Sequence, residues 1–341
     1  MLAVSSEHKL MKMTHLKPGS VLRNRYHIVG LIGSGGMGAV YLADDQRLKG
    51  RRCAIKEQVL IDTTLAVAVQ KQFEQEASIL AQLDHPGLPK VSDYFSDDSG
   101  VRDYLVMDHV PGPNLEQLIT EAQRNKTYLE EETVLQWVDQ LCDILIYLHS
   151  RSPMVLHRDI KPANIKLTPD SRLKLVDFGL AKPFDPDDPR TITGLQGLGS
   201  LPYTPIEQYL GHMGHTDARS DLYALGATCY HLFTGRPPLS ANDYFLHPEK
   251  LISPQVINPS VSAHTGEMVL WAMRLHPNDR ATSIATWHAG LRQAETDGLF
   301  NAVDTAEAYD TSIIGSVFRD NIALFGIASL LLILALVITF A

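Results

Sequence analysis

Apolar and polar residues alternate through the first hundred residues in a way that predicts a small β-rich region. "YHIVGLIG" and "GAVYLADD" read as extended segments on either side of a glycine-rich stretch, and "RRCAIKEQVL" reads as a third. Two further strands are expected in "LPKVSDYFSD" and "RDYLVMDHV". The order predicts an antiparallel meander, with strand, glycine loop, strand and strand in succession.

One helix is expected between these strands. In "VAVQKQFEQEASILAQL" four apolar residues recur with near-helical spacing, and "DHPG" supplies a stop signal. These residues are Phe73, Ala77, Leu80 and Leu83. After "PGPN" the pattern changes to long helices, notably "EEETVLQWVDQLCDILIYLHS". A β-rich lobe at 26–110 is therefore predicted to precede a larger helical lobe at 111–293.

The end of the chain has a different pattern. Residues 322–340, "IALFGIASLLLILALVITF", carry no charge and would span about 28 Å as a helix, close to the thickness of a bilayer core. We expect 321–341 to be a transmembrane anchor, followed by no outside domain, because globular helices seldom stay apolar on every face. The alternative is a buried helix. Residues 294–320 are expected to form a short acidic tether before it.

Composition narrows the function. The 341 residues are 45% hydrophobic with a net charge of −9, which allows a large core and argues against broad nucleic-acid binding. The three cysteines are Cys53, Cys142 and Cys229, and they form no CxxC pair. We therefore expect neither a disulfide framework nor a zinc site. We expect the protein to be in a reducing compartment.

The glycine-rich stretch "IGSGGMGAVY" needs a chemical reason, because glycine weakens a strand. A dinucleotide-binding fold would place this loop at the start of a helix, whereas Val40 and Tyr41 continue as strand. A glycine-rich hairpin can instead lie over a triphosphate and offer backbone N–H groups. Such a site needs a cation and a metal nearby to offset the phosphate charge.

Residues with suitable charges follow along the chain. Lys56 lies in "CAIK" on the third strand, and Glu76 lies 20 residues later on the helix. "DFG" begins at Asp177. Between them, "LHRDIKPANI" combines five residue types whose joint spacing rarely arises by chance: His157, Arg158, Asp159, Lys161 and Asn164.

Together these motifs resemble a eukaryotic-like protein serine/threonine kinase of the kind found in bacteria, over roughly residues 26–291. The resemblance implies an α+β, bilobal protein kinase fold with a small β-rich N-lobe and a larger helical C-lobe. The domain is expected at 26–293, after an N-terminal extension at 1–25. ATP with Mg²⁺, or Mn²⁺ as an alternative, is the implied cofactor, and protein Ser/Thr hydroxyls are the implied substrates.

Roles follow from the resemblance. Asp159 is expected to orient the substrate hydroxyl and accept its proton, and Lys161 to neutralise the transferred phosphoryl group. Lys56, held by an ion pair to Glu76, is expected to contact the α- and β-phosphates. The implied metal ligands are Asn164 and Asp177.

The adenine is expected between the lobes. Met107 resembles the gatekeeper, Asp108 and Val110 resemble the hinge whose backbone pairs with the purine, and Val40 and Ala54 resemble the apolar roof. The hairpin supplies the other expected ATP-binding positions: Ile32, Gly33, Ser34, Gly35, Gly36, Met37 and Gly38.

Structural and regulatory positions also match. Asp221 resembles the buried helix carboxylate that ties down the catalytic loop, and Glu207 is expected to pair with Arg280. The regulatory residues implied by the resemblance are Thr191 and Thr193 as loop phosphosites, Arg158 as the phosphate receptor, and Ser200 in place of a threonine near the catalytic aspartate.

Two positions depart from the family pattern. Lys166 stands where an apolar side chain usually covers the adenine, and 205–207 reads Pro-Ile-Glu in place of Ala-Pro-Glu. The favoured interpretation is a membrane-anchored kinase with a cytoplasmic catalytic domain, whose copies meet in the bilayer and phosphorylate each other's loop in trans. The departures motivate an alternative, a pseudokinase scaffold. A small-molecule phosphotransferase fits less well, since it needs neither the threonine-bearing loop nor the Glu207–Arg280 pair.

Overall fold

Six strands form the sheet of the small lobe, in the spatial order β1-β2-β3-β4-β6-β5. The computed structural model describes residues 15–35, 38–59, 66–97, 101–178, 182–183, 198–209 and 216–293. The strands are β1 (Val21–Leu22), β2 (Tyr26–Gly35), β3 (Gly38–Asp45), β4 (Arg52–Val59), β5 (Val91–Ser96) and β6 (Arg102–Asp108). Each neighbouring pair is antiparallel. The consecutive strands β2, β3 and β4 lie side by side, which confirms the predicted meander.

Helix α1 (Ala66–Ala81) connects β4 to β5, as the sequence predicts. The four apolar residues of its predicted stripe are buried: Phe73, Ala77, Leu80 and Leu83. They belong to the core that continues into the large lobe. The spacing of apolar residues therefore identified both the helix and the face that it buries.

In the glycine hairpin, packing within the sheet requires a glycine at Gly38, and the phosphate-binding interpretation does not explain this requirement. A Cβ atom at Gly38 would overlap the carbonyl oxygen of Glu57, because β3 passes very close to β4 at this point. Glycine is thus required inside the sheet as well as in the loop. Gly36 and Met37 lie outside the described residues.

The face of the sheet that carries Cys53, Ile55 and Glu57 has its own core. These residues alternate along β4, so period-two geometry turns them to the same side. Leu16 and Leu22, which precede β2, pack against this core. Residues ahead of the predicted domain boundary at Tyr26 therefore contribute to the small lobe.

The large lobe is mainly helical, as predicted. Its helices are α2 (Leu115–Arg124), α3 (Glu131–His149), α4 (Ile206–Tyr209), α5 (Ala218–Thr234), α6 (Ala241–Leu246), α7 (Pro254–Ile257), α8 (Ala263–Ala272) and α9 (Ile284–Arg292). Two short antiparallel ribbons pair β7 (Val155–Leu156) with β10 (Lys182–Pro183), and β8 (Ile165–Leu167) with β9 (Leu173–Leu175). Four 3₁₀ turns complete the described part: Pro162–Asn164, Leu198–Tyr203, Pro248–Lys250 and Pro277–Asp279.

Helix α5 forms the centre of this lobe and is buried along nearly all of its length. Its first turn is capped by Asp217, whose carboxylate accepts the Arg219 N–H, and it ends at Gly235 in the left-handed conformation. A Cβ atom at Gly226 would lie 2.7 Å from the Cβ of Ala272. Glycine at this position therefore allows α5 and α8 to pack closely.

The chain divides into two compact units, residues 1–292 and 293–341, and the elements above belong to the first. None of the helices in the described ranges is long and apolar enough to cross a membrane. The predicted anchor at 321–341 and the tether at 294–320 lie outside the described residues, so both stay predictions.

Candidate active site

The carboxylate of Asp159 is the centre of a compact polar cluster after β7. The Nζ atom of Lys161 lies 3.0 Å from Oδ1 and 2.8 Å from Oδ2 of Asp159. The side-chain amide of Asn164 donates to Oδ2 and to the backbone carbonyl of Asp159, at 2.8 and 2.9 Å. The Pro162–Asn164 turn brings these residues together, so "DIKPAN" encodes the cluster locally.

Asp221 fixes the backbone on which this cluster is built. Its side chain is fully buried and accepts the N–H groups of His157 at 3.0 Å and Arg158 at 2.8 Å. Nε2 of His149 lies 2.9 Å from the same carboxylate. Burial acts to raise the pKa of Asp221, but His149 and the two backbone N–H groups hold this pKa below its usual value. The predicted tie from helix α5 to the catalytic loop is therefore present.

A second polar contact joins the two lobes. Nζ of Lys56, on β4, lies 2.9 Å from Oδ1 of Asp177, which follows β9. The ammonium group of Lys56 lowers the pKa of the Asp177 carboxyl to about 2, so the pair is ionic at neutral pH. The expected partner of Lys56 was Glu76, whose side chain lies outside the described part of the chain.

Asn164 and Asp177 each have a side-chain oxygen that suits a hard cation. The amide nitrogen of Asn164 is used by Asp159, and no described residue donates to its Oδ1 atom. Oδ2 of Asp177 likewise contacts no donor among the described residues, since Lys56 binds Oδ1. No cluster of three or more His, Cys, Asp or Glu that suits a metal occurs in the described ranges. Mg²⁺ fits this pair, because it commonly takes one or two protein oxygens together with water and phosphate.

The predicted hinge connects β6 to α2. Ala54 and Met107 are register partners on β4 and β6, and Met107 packs against the main core. The N–H of Asp108 donates to the carbonyl of Lys90. Val110 is buried, and no described group bonds its backbone N–H or carbonyl. Val110 can therefore pair with the edge of a purine.

Lys166 lies on the floor of the cleft, on the face of β8 opposite to Ile165. Ile165 is fully buried in the main core, so alternation turns Lys166 the other way, toward the hinge. The backbone of Lys166 bridges to Asn114 at the start of α2. Burial lowers the pKa of Lys166, and burial together with the charge of Lys166 lowers the pKa of His109 in the hinge. A half-buried cation thus occupies this position, as the sequence departure predicts.

The fold and this arrangement of residues match known proteins. The protein kinase domain family matches residues 26–289. This chain belongs to that family. A probable serine/threonine-protein kinase of Streptomyces coelicolor is 34% identical over 270 residues, which cover 77% of this chain and 38% of that protein. Serine/threonine-protein kinase B of Synechocystis is 36% identical over 228 residues, or 64% of this chain and 38% of its own length.

Two further comparisons cover more of the matching protein. The serine/threonine-protein kinase PknA of Mycobacterium tuberculosis is 32% identical over 286 residues, which cover 80% of this chain and 64% of PknA. The solved structure of PpkA-294 in its apo form has a TM-score of 0.67 and 26% identity, covering 81% of this chain and 99% of that one. The kinase domain spans about two fifths of the Streptomyces and Synechocystis relatives.

The kinase domain keeps the predicted ion pair between Glu207 and Arg280. Nη1 and Nη2 of Arg280 donate to the two carboxylate oxygens at 2.7 and 3.0 Å, and both side chains are buried. Arg280 also donates to the carbonyls of Arg219, Arg274 and Leu275. The shifted proline at 205 therefore leaves this pair intact.

Only some of the predicted regulatory residues lie in the described part of the chain. Arg158 is buried with a positive φ of 66°, and its Nη2 atom donates to Thr216 at 2.8 Å. Its Nε atom has no hydrogen-bond partner in the described part of the kinase domain. Thr191 and Thr193 lie outside the described residues. Only the backbone of Ser200 is described, in the Leu198–Tyr203 turn.

A buried carboxylate beside Lys56 was missed by the sequence reasoning. Glu57 accepts hydrogen bonds from Arg102 at 2.7 Å, Tyr104 at 3.2 Å and Tyr41 at 2.7 Å. The hydroxyl of Tyr41 in turn accepts the N–H of Leu16. The available signal was the alternation of "CAIKEQV", which turns Glu57 to the buried face of Cys53 and Ile55.

The sequence reasoning also missed three residues that contact the site from distant parts of the fold. Val176 comes directly after β9, and its N–H donates to the carbonyl of Asn164 at 2.8 Å. Thr216 engages Arg158, and His149 engages Asp221. No local motif marks these three residues.

Proposed function

We propose that this protein is a membrane-anchored serine/threonine protein kinase, which transfers the γ-phosphoryl group of ATP to protein hydroxyls. The observation that carries this proposal is the convergence of Lys161 and Asn164 on the Asp159 carboxylate. Further support comes from the Lys56–Asp177 pair, which connects the lobes and supplies a cation and a carboxylate of the kind that phosphoryl transfer needs.

Each residue has a physical task in this reaction. Asp159 orients the substrate hydroxyl and accepts its proton, and the two contacts to its carboxylate fix its orientation. Lys56 positions the nucleotide phosphates, and Lys161 compensates charge at the transferred group. Bound at Asn164 and Asp177, Mg²⁺ would supply neutralisation of phosphate charge. Val110 offers the backbone groups that suit a purine edge.

The proposal includes a membrane anchor and trans-phosphorylation of the loop threonines between two copies of the kinase. The support for the anchor is the uncharged segment at 322–340, which is long enough to cross a bilayer. The support for loop phosphorylation is the pair Thr191 and Thr193, together with the buried guanidinium of Arg158. ATP is cytosolic, so the catalytic domain faces the cytoplasm in this proposal.

The test is phosphate transfer by the purified full chain with Mg-ATP, followed by mass spectrometry. Asp159→Asn should lower the rate about a hundredfold to ten-thousandfold without changing nucleotide affinity, because Asp159 contacts the hydroxyl. Asp170→Asn is the matched control, since Asp170 is exposed in the turn between β8 and β9. Near-normal transfer by Asp159→Asn contradicts the assigned chemistry.

A truncation after Asp320 tests the anchor. The shortened chain should stay in solution without detergent and keep its phosphate transfer, because 321–341 contributes no group to the reaction. The full chain should sediment with lipid vesicles. A shortened chain that aggregates or loses activity contradicts the anchor and favours a segment packed into the fold.

A further inference from the structure

A cavity of about 360 Å³ lies on the large lobe, away from the Lys56–Asp177 pair. It is formed by the second half of α2, the connection from α2 to α3, and the end of α5. Ile119, Leu129 and Leu232 give it an apolar wall. The proposed reaction uses none of these residues, so the cavity is available for another role.

Two cations give the cavity its charge. Lys126 and Arg236 both line it and are exposed. Neither side chain forms a hydrogen bond or ion pair with another residue in the described ranges, and none of the lining residues is acidic. The whole chain carries a net charge of −9. A local pair of unneutralised cations in an acidic protein favours an acidic ligand.

The walls of the cavity are held in place by the backbone. Lys126 has a positive φ of 55°, and Gly235 ends α5 with a φ of 68°. The side-chain amide of Gln123 donates to the carbonyl of Gly235, which ties the end of α2 to the end of α5. The two cationic segments therefore keep a defined spacing without a ligand.

The distance from the cavity to Asp159 is one that a short peptide can span. The start of α2 lies beside the catalytic loop, because Asn114 bridges to Lys166 and α2 contacts the Pro162–Asn164 turn. Helix α2 has ten residues and is about 15 Å long. An extended peptide covers this distance with roughly five residues.

The chain itself contains a segment with the required sequence. Residues 184–188 read Phe-Asp-Pro-Asp-Asp, which combines one aromatic side chain with three carboxylates. Asp188 precedes Thr193 by five residues, and residues that precede proline favour an extended backbone. The spacing between the acidic segment and the proposed phosphosites thus matches the distance between the cavity and Asp159.

We propose that this cavity is a docking site for residues 184–188 of a second copy of the kinase, which places Thr191 or Thr193 of that copy at Asp159. The inference rests on the proposed trans-phosphorylation. Lys126 and Arg236 bind the carboxylates, and the apolar wall accepts Phe184. Docking raises the effective concentration of the threonines at the cleft without a role in the chemical step.

The kinetic test uses a full-length Asp159→Asn chain as the substrate, in the same detergent micelles as the enzyme. The enzyme variant Lys126→Glu with Arg236→Glu should raise KM for this substrate at least tenfold and change kcat by less than twofold. Lys250→Glu is the matched control, an exposed lysine elsewhere on the same lobe, and should leave both constants unchanged. A substrate chain with Asp185, Asp187 and Asp188 changed to lysine should restore a low KM to the reversed enzyme.

A binding test keeps docking separate from catalysis. A fluorescein-labelled peptide of residues 183–194 should bind the full chain in an anisotropy titration, and the double charge reversal should raise its Kd at least tenfold. A peptide with the three aspartates changed to asparagine should bind as weakly. Absence of peptide binding, equal Kd values for both enzymes, or failure of the charge swap overturns the docking site. A kinase that binds the peptide but transfers no phosphate contradicts the proposed function alone.

Discussion

The ammonium group of Lys56 lies 2.9 Å from Oδ1 of Asp177, although 121 residues separate them in the chain. The contact joins the small lobe to the segment that begins the predicted regulatory loop. It also holds the pKa of the Asp177 carboxyl at about 2. One ion pair therefore sets both the charge of a proposed metal ligand and its position relative to β4.

Lys56→Met should abolish phosphate transfer and change the titration of Asp177. The positive charge of Lys56 is the main cause of the low carboxyl pKa, so its removal should shift this pKa from about 2 toward 3.8. ¹³C NMR of the carboxyl carbon measures the shift, and Lys250→Met serves as the control. An unchanged carboxyl pKa would show that Lys56 and Asp177 are not paired in solution.

Loss of the buried ion pair between Glu207 and Arg280 should lower the free energy of unfolding more than loss of a partly exposed pair. Arg280→Met leaves a buried carboxylate without its partner, which costs about 3–5 kcal/mol of unfolding free energy. Arg292→Met removes a similar pair with Asp139, but both partners are about one third exposed, so the loss should stay below about 1 kcal/mol. Urea unfolding compares the two variants. Equal losses would argue against the importance of burial.

Acid should destabilise the large lobe through His231. This residue is buried, its Nδ1 atom lies 2.7 Å from the Tyr203 hydroxyl, and burial lowers its pKa from 6.5 to about 4. Between pH 6.5 and pH 4, His231 therefore binds a proton in the unfolded chain but not in the folded chain. The free energy of unfolding decreases as the pH falls through this range. The shift corresponds to roughly 3 kcal/mol of unfolding free energy.

His231→Gln should remove this dependence. Unfolding measured by urea at pH 7 and pH 4 should give a smaller loss of stability in His231→Gln than in the unchanged chain. His247→Gln is the control, since His247 is exposed. The same acid loss in all three proteins would assign the destabilisation to other groups.

Lys166 should weaken nucleotide binding. A base that covers this half-buried ammonium removes water from a charge that no described residue neutralises by an ion pair or hydrogen bond. Lys166→Leu should therefore lower KM for ATP about three- to tenfold, which corresponds to roughly 1 kcal/mol. Steady-state kinetics measure the change, with Lys49→Leu in an exposed turn as the control. A higher KM in Lys166→Leu would mean that the ammonium contacts the nucleotide favourably.

The sequence predicted what short-range geometry determines. The motif that contains Asp159, Lys161 and Asn164 was recognised as a unit, and Lys56 was placed on the third predicted strand. Such features depend on a few consecutive dihedral angles, which local residues control. The pair Glu207 and Arg280 was accessible only through resemblance to a family.

Other features could not be predicted because they depend on the path of the whole chain. The contact of Lys56 with Asp177 requires both lobes to be in place. Thr216 reaches Arg158 from a segment 58 residues away. Glu57 is an intermediate case, since alternation indicated a buried face but not the three donors that neutralise and hydrogen-bond its carboxylate.

The hydrogen bond from the Leu16 N–H to the Tyr41 hydroxyl changes where the smallest independently folding kinase should start. A cut at Tyr26, where the family match begins, removes β1 and the two leucines that cover the core beside Glu57. It also leaves the Tyr41 hydroxyl without a backbone donor. Residues 15–25 are therefore part of the minimal folding unit, and expression of the catalytic domain alone should begin no later than His15.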